Sequence, residues 1–87
     1  MDSTTELIKE VKPLEYNKLV IETTSGKRFF SDLSFFQKVY CYPEKKEWKK
    51  VSIDSYGLDI VWPSRFEVHV TQVIDASYRV EEIKRAV

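Results

Sequence analysis

Apolar and polar residues alternate along much of the chain, and the alternation predicts two β-hairpins with a short helix between them. Leu7, Ile8 and Val11 stand among charges and predict a strand over Leu7–Pro13, stopped by Pro13, which has no N–H to give a ladder. Lys18–Thr24 carries Leu19, Val20 and Ile21, Ser25-Gly26 supplies a turn, and Lys27–Phe30 resumes the extended run. Two β-prone runs across a two-residue, glycine-containing link predict a hairpin. Trp48–Ile53 alternates around Val51 and Ile53, and Leu58–Trp62 around Leu58, Ile60 and Trp62. With Ser55-Tyr56-Gly57 between them they predict a second hairpin, which Trp62-Pro63 ends.

Helical spacing takes over in two places. Asp32 or Ser34 is a candidate cap, Ser34-x-x-Gln37 fits a capping box, and Leu33, Phe36 and Tyr40 share a face at i, i+3 and i+7. Pro43 stops that helix, and Pro43–Glu47 reads as a charged loop. Beyond Trp62 two periods compete: Phe66, Val68 and Val70 form one face of a strand, while Phe66, Val70, Val73, Ile74 and Ser77 form a helical face. Ser64-x-x-Glu67, directly after Pro63, fits a capping box and favours a helix over Arg65–Ala76, at the cost of leaving Val68 off the apolar face. Val80, Ile83 and Val87 predict a short final helix over Val80–Val87. The expected fold is α+β: a small antiparallel sheet from two β-hairpins, with an inserted short helix and a C-terminal helix.

Eighty-seven residues, 43% of them hydrophobic, predict one domain over 1–87. A chain of this size buries only about 60–65% of its unfolded surface, so a stability on the order of 5 kcal/mol is expected. Fourteen basic residues balance fourteen acidic ones, which argues against a dedicated nucleic-acid binder, whose affinity needs a basic excess. A single cysteine excludes an intrachain disulfide and predicts a reducing compartment. The polar, acidic Met1–Glu6 does not fit a signal peptide, and no apolar run spans a membrane, so a cytoplasmic location is expected.

Candidate chemistry is sparse. His69, the lone histidine, lacks an orienting partner on its own helical face, and a partly exposed helix residue explains it better than a general base. Cys41 lies between Tyr40 and Tyr42 at a predicted helix C-terminus, where a thiolate is disfavoured, so packing explains it better than nucleophilic chemistry. One histidine and one cysteine do not make a conventional zinc site, and both glycines serve turns, so no metal or cofactor is expected. Lys45, Lys46, Lys49 and Lys50 around Trp48 form a basic edge with an interleaved aromatic, the pattern that holds single strands, although Glu44 and Glu47 dilute it. Solvated lysines blunting a strand edge are the plainer explanation. On the predicted Arg65–Ala76 helix, Arg65, His69 and Gln72 lie at i, i+4 and i+7, one polar stripe beside Trp62 and the strongest binding candidate.

The motifs also follow a familiar order. Val11-x-Pro13-Leu14-x-Tyr16-x-x-Leu19-x-Ile21 leads to Ser25-Gly26-Lys27-x-Phe29-x-x-Asp32-Leu33. Then come Trp48-x-x-Val51-x-Ile53, Tyr56-Gly57, Ile60-x-Trp62-Pro63 and Phe66-Glu67-Val68-His69-Val70. In this order the chain resembles the bacterial domain-of-unknown-function family numbered 2442 across nearly its whole length. The resemblance implies a small antiparallel sheet of two hairpins with a helix between them, and no established activity. Some members of that family look fused to a helix-turn-helix, whereas this chain ends about ten residues after Asp75-Ala76-Ser77, which argues against direct promoter binding. Together these readings predict a non-enzymatic protein-interaction or regulatory module of the bacterial cytoplasm, with a protein partner or a second copy of itself. The alternative is a nucleic-acid accessory using the Lys45–Lys50 edge, and a small enzyme ranks third.

Overall fold

The structure, a computed structural model, describes residues 6–78. Strands β1 (Ile8–Pro13), β2 (Lys18–Thr23) and β3 (Arg28–Asp32) form an antiparallel meander, and β7 (Ser77–Tyr78) pairs with β3 to complete a four-stranded sheet of order β1-β2-β3-β7. Strands β4 (Ser52–Ile53), β5 (Asp59–Val61) and β6 (Glu67–His69) form a second, three-stranded antiparallel sheet. Helix α1 (Val70–Asp75) follows β6 without a break. Both predicted hairpins are present and the architecture is α+β, but each hairpin lies in its own sheet and not in one shared sheet.

The β2–β3 register shows why this segment is a sheet. Leu19 opposes Ser31 and Ile21 opposes Phe29, and Leu19, Ile21, Thr23 and Ser31 are buried on one face. Val20 opposes Phe30 and Glu22 opposes Arg28 on the other. Period-2 burial of this kind fixes the register, because a one-residue slip would turn the apolar set to solvent. The buried cluster draws Leu19 and Ile21 from the first sheet, Ile60 and Val68 from the second, and Val70 and Val73 from α1. Fully burying each such aliphatic side chain contributes about 1.5–3 kcal/mol. Ser31 Oγ, itself buried, donates to the Val73 carbonyl at 2.7 Å and so ties β3 to α1.

Three predicted elements take other forms. The helix expected after Asp32 is one turn of 3-10 helix, Ser34–Lys38, with none of its residues buried. Leu33 is buried just before it and Phe36 packs partly against the core, but Tyr40 is 92% exposed and leaves the predicted face. Asp32 Oδ1 accepts the Ser34 N–H at 2.9 Å, and Gln37 donates to Asn17 instead of closing a capping box. A side chain bonding the backbone two residues on makes a turn that competes with an α-helical start. Likewise, Lys45–Lys50 is a second 3-10 helix, so Trp48 stands in a helical turn and the strand shrinks to Ser52–Ile53.

The largest departure lies beyond Trp62. Residues 67–69 are strand β6, with Val68 opposite Ile60, and the helix begins only at Val70. Phe66, Val68 and Val70 are all buried, so the period-2 pattern wins over the helical one. The helix that the Ser64/Glu67 box favoured would have left Val68 off the core. Arg65 has φ 75° in a turn where its N–H reaches the Trp62 carbonyl at 2.9 Å. The working capping box is shifted along the chain: His69 Nδ1 accepts the Thr71 N–H at 3.2 Å, and Gln72 Oε1 accepts the His69 N–H at 3.0 Å. The final helix predicted over Val80–Val87 lies outside the described residues.

Candidate functional site

Two tryptophans join the sheets. Trp62, at the end of β5, stacks on Trp48 with ring centroids 4.9 Å apart and planes at 26°. Its Nε1–H donates to the Trp48 carbonyl at 2.9 Å, and Trp48 Nε1–H donates to the Lys18 carbonyl of β2 at 2.9 Å. A hydrogen-bonded relay thus runs from the second sheet through the Lys45–Lys50 turn to the first. Tyr16, Tyr42 and Phe66 pack around it edge-on or tilted, at 5.0–6.3 Å.

This cluster and the β1–β2 turn hold the segment 33–43 at several points. Asn17 sits at φ 78°, a conformation asparagine tolerates better than most residues. Its carbonyl accepts the Leu33 N–H at 2.7 Å, and its Oδ1 accepts Tyr42 O–H at 2.8 Å and Gln37 Nε2–H at 3.2 Å. Tyr16 O–H donates to the Pro43 carbonyl at 2.9 Å. Burial, with Tyr16 and Asp32 nearby, pushes the Tyr42 phenol well above the ordinary tyrosine range, so it remains a hydrogen-bond donor. Cys41 beside it is half-buried at φ 66°.

From this tethered segment three large apolar side chains face solvent: Phe35 at 83% exposure, Val39 at 47% and Tyr40 at 92%. Phe35 meets half-buried Phe36 edge to face, with centroids 5.4 Å apart. Beside Phe35 a groove of about 390 Å³ runs between the Ser34–Lys38 turn and α1, lined by Asp32, Phe35, Phe36, Gln72, Asp75 and Ala76. The Ser34 backbone N–H holds the Asp32 carboxyl below its usual range. A second concavity, about 320 Å³, lies on the outer face of the first sheet among Lys12, Glu22, Arg28 and Phe30. Charge there is mixed, with Glu22 and Arg28 paired at 3.8 Å.

The predicted binding residues do not form their stripe. Trp62 is 3% exposed and belongs to the core, Arg65 sits in the turn before β6, and His69 and Gln72 are joined as the cap of α1. With 67–69 a strand, His69 and Val68 point to opposite faces of the sheet. Of the four, only Gln72 reaches the groove. Lys45, Lys46, Lys49 and Lys50 are exposed, but Trp48 between them is 1% exposed, so it offers no ring face for a base to stack on. Phe35 and Tyr40 were missed, although a signal exists: in Phe35-Phe36 and Tyr40-Cys41-Tyr42, neighbouring side chains of a regular element do not all face one core.

Ser64, the predicted cap, has its Oγ buried with no protein partner. Since an unsatisfied buried hydroxyl costs about 1–3 kcal/mol, Ser64→Ala is expected to raise the unfolding free energy by about 1 kcal/mol. Thermal unfolding checks this, and a lowered midpoint would mean that the hydroxyl is satisfied.

Among the described residues, no group of three His, Cys, Asp or Glu side chains comes together to hold a metal. Nor is any helix among them long and apolar enough to cross a membrane. No family model, curated protein or solved structure matches the chain.

Proposed function

We propose that the chain is a non-enzymatic protein-interaction or regulatory module of the bacterial cytoplasm, and that it binds its partner through the Phe35–Tyr40 segment. The observation that carries this reading is the exposure of Phe35 and Tyr40 on a segment tied down by Asn17, Tyr16 and Tyr42. Single exposed apolar residues are ordinary, but Phe35, Val39 and Tyr40 all stand exposed within one six-residue stretch, and apolar surface concentrated in this way favours an interaction role. Aromatic side chains dominate such surfaces because each buries about 150–250 Å². Anchoring the segment in advance lowers the ordering cost of association. Membership of the unknown-function 2442 family belongs to the same proposal and rests on the residues quoted above. It adds no activity.

In native extracts the endogenous chain is expected to migrate in a complex larger than its 10.3 kDa mass. Size-exclusion chromatography with immunodetection reads this directly. A chain that runs as a monomer both in the extract and when purified would contradict the proposal.

A further inference from the structure

We infer that the groove between the Ser34–Lys38 turn and α1 binds an arginine side chain presented by the partner protein, an inference that rests on the interaction reading above. The groove has an aromatic wall, Phe35 and Phe36, and two carboxylates, Asp32 and Asp75. No basic side chain lines it among the described residues, whereas the outer face of the first sheet carries Lys12 and Arg28. Lys18, opposite Asp32 across the β2–β3 pair, offsets part of its charge, so the negative field in the groove comes mainly from Asp75. Asp75 is the last residue of α1 and is exposed.

A cation with an apolar body suits these walls, and arginine suits them better than lysine. Its planar guanidinium is weakly hydrated, stacks on aromatic faces and offers a fork of donors to carboxylates. Phe35, 83% exposed, offers the accessible ring, and half-buried Phe36 packs against it edge to face. Asp32 is fixed in place by the Ser34 N–H, which leaves Asp75 the more adaptable acceptor. A volume of about 390 Å³ is at the lower end of the range for ligand sites.

The test is a titration of the full-length, isotope-labelled chain, followed by NMR, with a capped pentapeptide carrying a central arginine between two leucines. The comparator replaces arginine by citrulline, its uncharged isostere. The arginine peptide is expected to shift the amide signals of Phe35, Phe36, Gln72 and Ala76, and to bind about tenfold more tightly than the citrulline peptide. Asp75→Asn is expected to weaken the arginine peptide about fivefold and leave both the citrulline peptide and the melting midpoint unchanged. Equal binding of the two peptides, shifts confined to the Lys12–Arg28 face, or no shifts at all would overturn the arginine assignment. So would groove signals that move with protein concentration alone, which would place a second copy there. If the arginine peptide fails while Phe35→Ser/Tyr40→Ser still strips the native partner, the arginine assignment falls alone. If both fail, the interaction reading falls with it.

Discussion

Trp62→Ala is expected to cost about 3–5 kcal/mol and to leave much of the protein unfolded at 25 °C. The substitution removes a stacked ring pair and a contact with Phe66 at 5.5 Å. It also deprives the Trp48 carbonyl of its indole donor. Trp62→Phe keeps a ring and loses the donor, and its cost is expected to be smaller, about 1–3 kcal/mol. Urea or thermal unfolding measures both. Since 1 kcal/mol moves the midpoint of a domain this size by about 4–8 °C, a Trp62→Ala midpoint within 5 °C of the parent would remove Trp62 from the relay.

Gly57→Val is expected to cost about 2–5 kcal/mol, more than the same change at Gly26. Both glycines have positive φ, 73° at Gly57 and 89° at Gly26, which a β-branched residue adopts only under strain. Their surroundings separate them. A Cβ at Gly57 would lie 3.2 Å from the Ile8 carbonyl oxygen, and the Gly57 carbonyl itself accepts the Ile8 N–H at 2.7 Å. That hydrogen bond links β1 to the β4–β5 turn, so relieving the contact would pull the two sheets apart. Asp54 reinforces the turn, its Oδ1 accepting the Leu58 N–H at 2.9 Å. At Gly26 a Cβ meets nothing within 4 Å, which leaves the backbone strain alone. Gly26→Asn should therefore be milder than Gly26→Val, because asparagine tolerates the left-handed conformation. Equal midpoints for Gly57→Val and Gly26→Val would show that the Ile8 contact carries no weight.

The contrast between these turns and the C-terminal region shows what was legible in the residues. Ser25-Gly26 and Tyr56-Gly57 stand between alternating runs, and the signal is local, so the hairpins could be read directly. At 64–76 two local signals conflicted, and the outcome depended on a distant residue: Val68 is buried because Ile60 lies opposite it. The box at Ser64 was a chance match, while the real cap used His69, a residue type rarely read as a cap. Trp48 stands at the start of a predicted strand but in the structure in a 3-10 turn, because nothing nearby in sequence reveals that its indole reaches Lys18. Phe35 and Phe36 are chemically identical, and only the packing of Phe36 on Phe66 at 6.1 Å separates the half-buried ring from the exposed one.

On the proposed function, Phe35 and Tyr40 serve a partner and not the fold. The most direct measurement is quantitative recovery of the native partner from its own cells by the tagged full-length chain, parent against Phe35→Ser/Tyr40→Ser, with melting midpoints taken on the same samples. Both side chains are largely exposed, so the double variant is expected to melt within a few degrees of the parent, as surface substitutions usually do. Partner recovery is predicted to fall at least about tenfold, the loss expected when aromatic anchors are removed from an interface. Undiminished recovery at a matched midpoint would contradict the account.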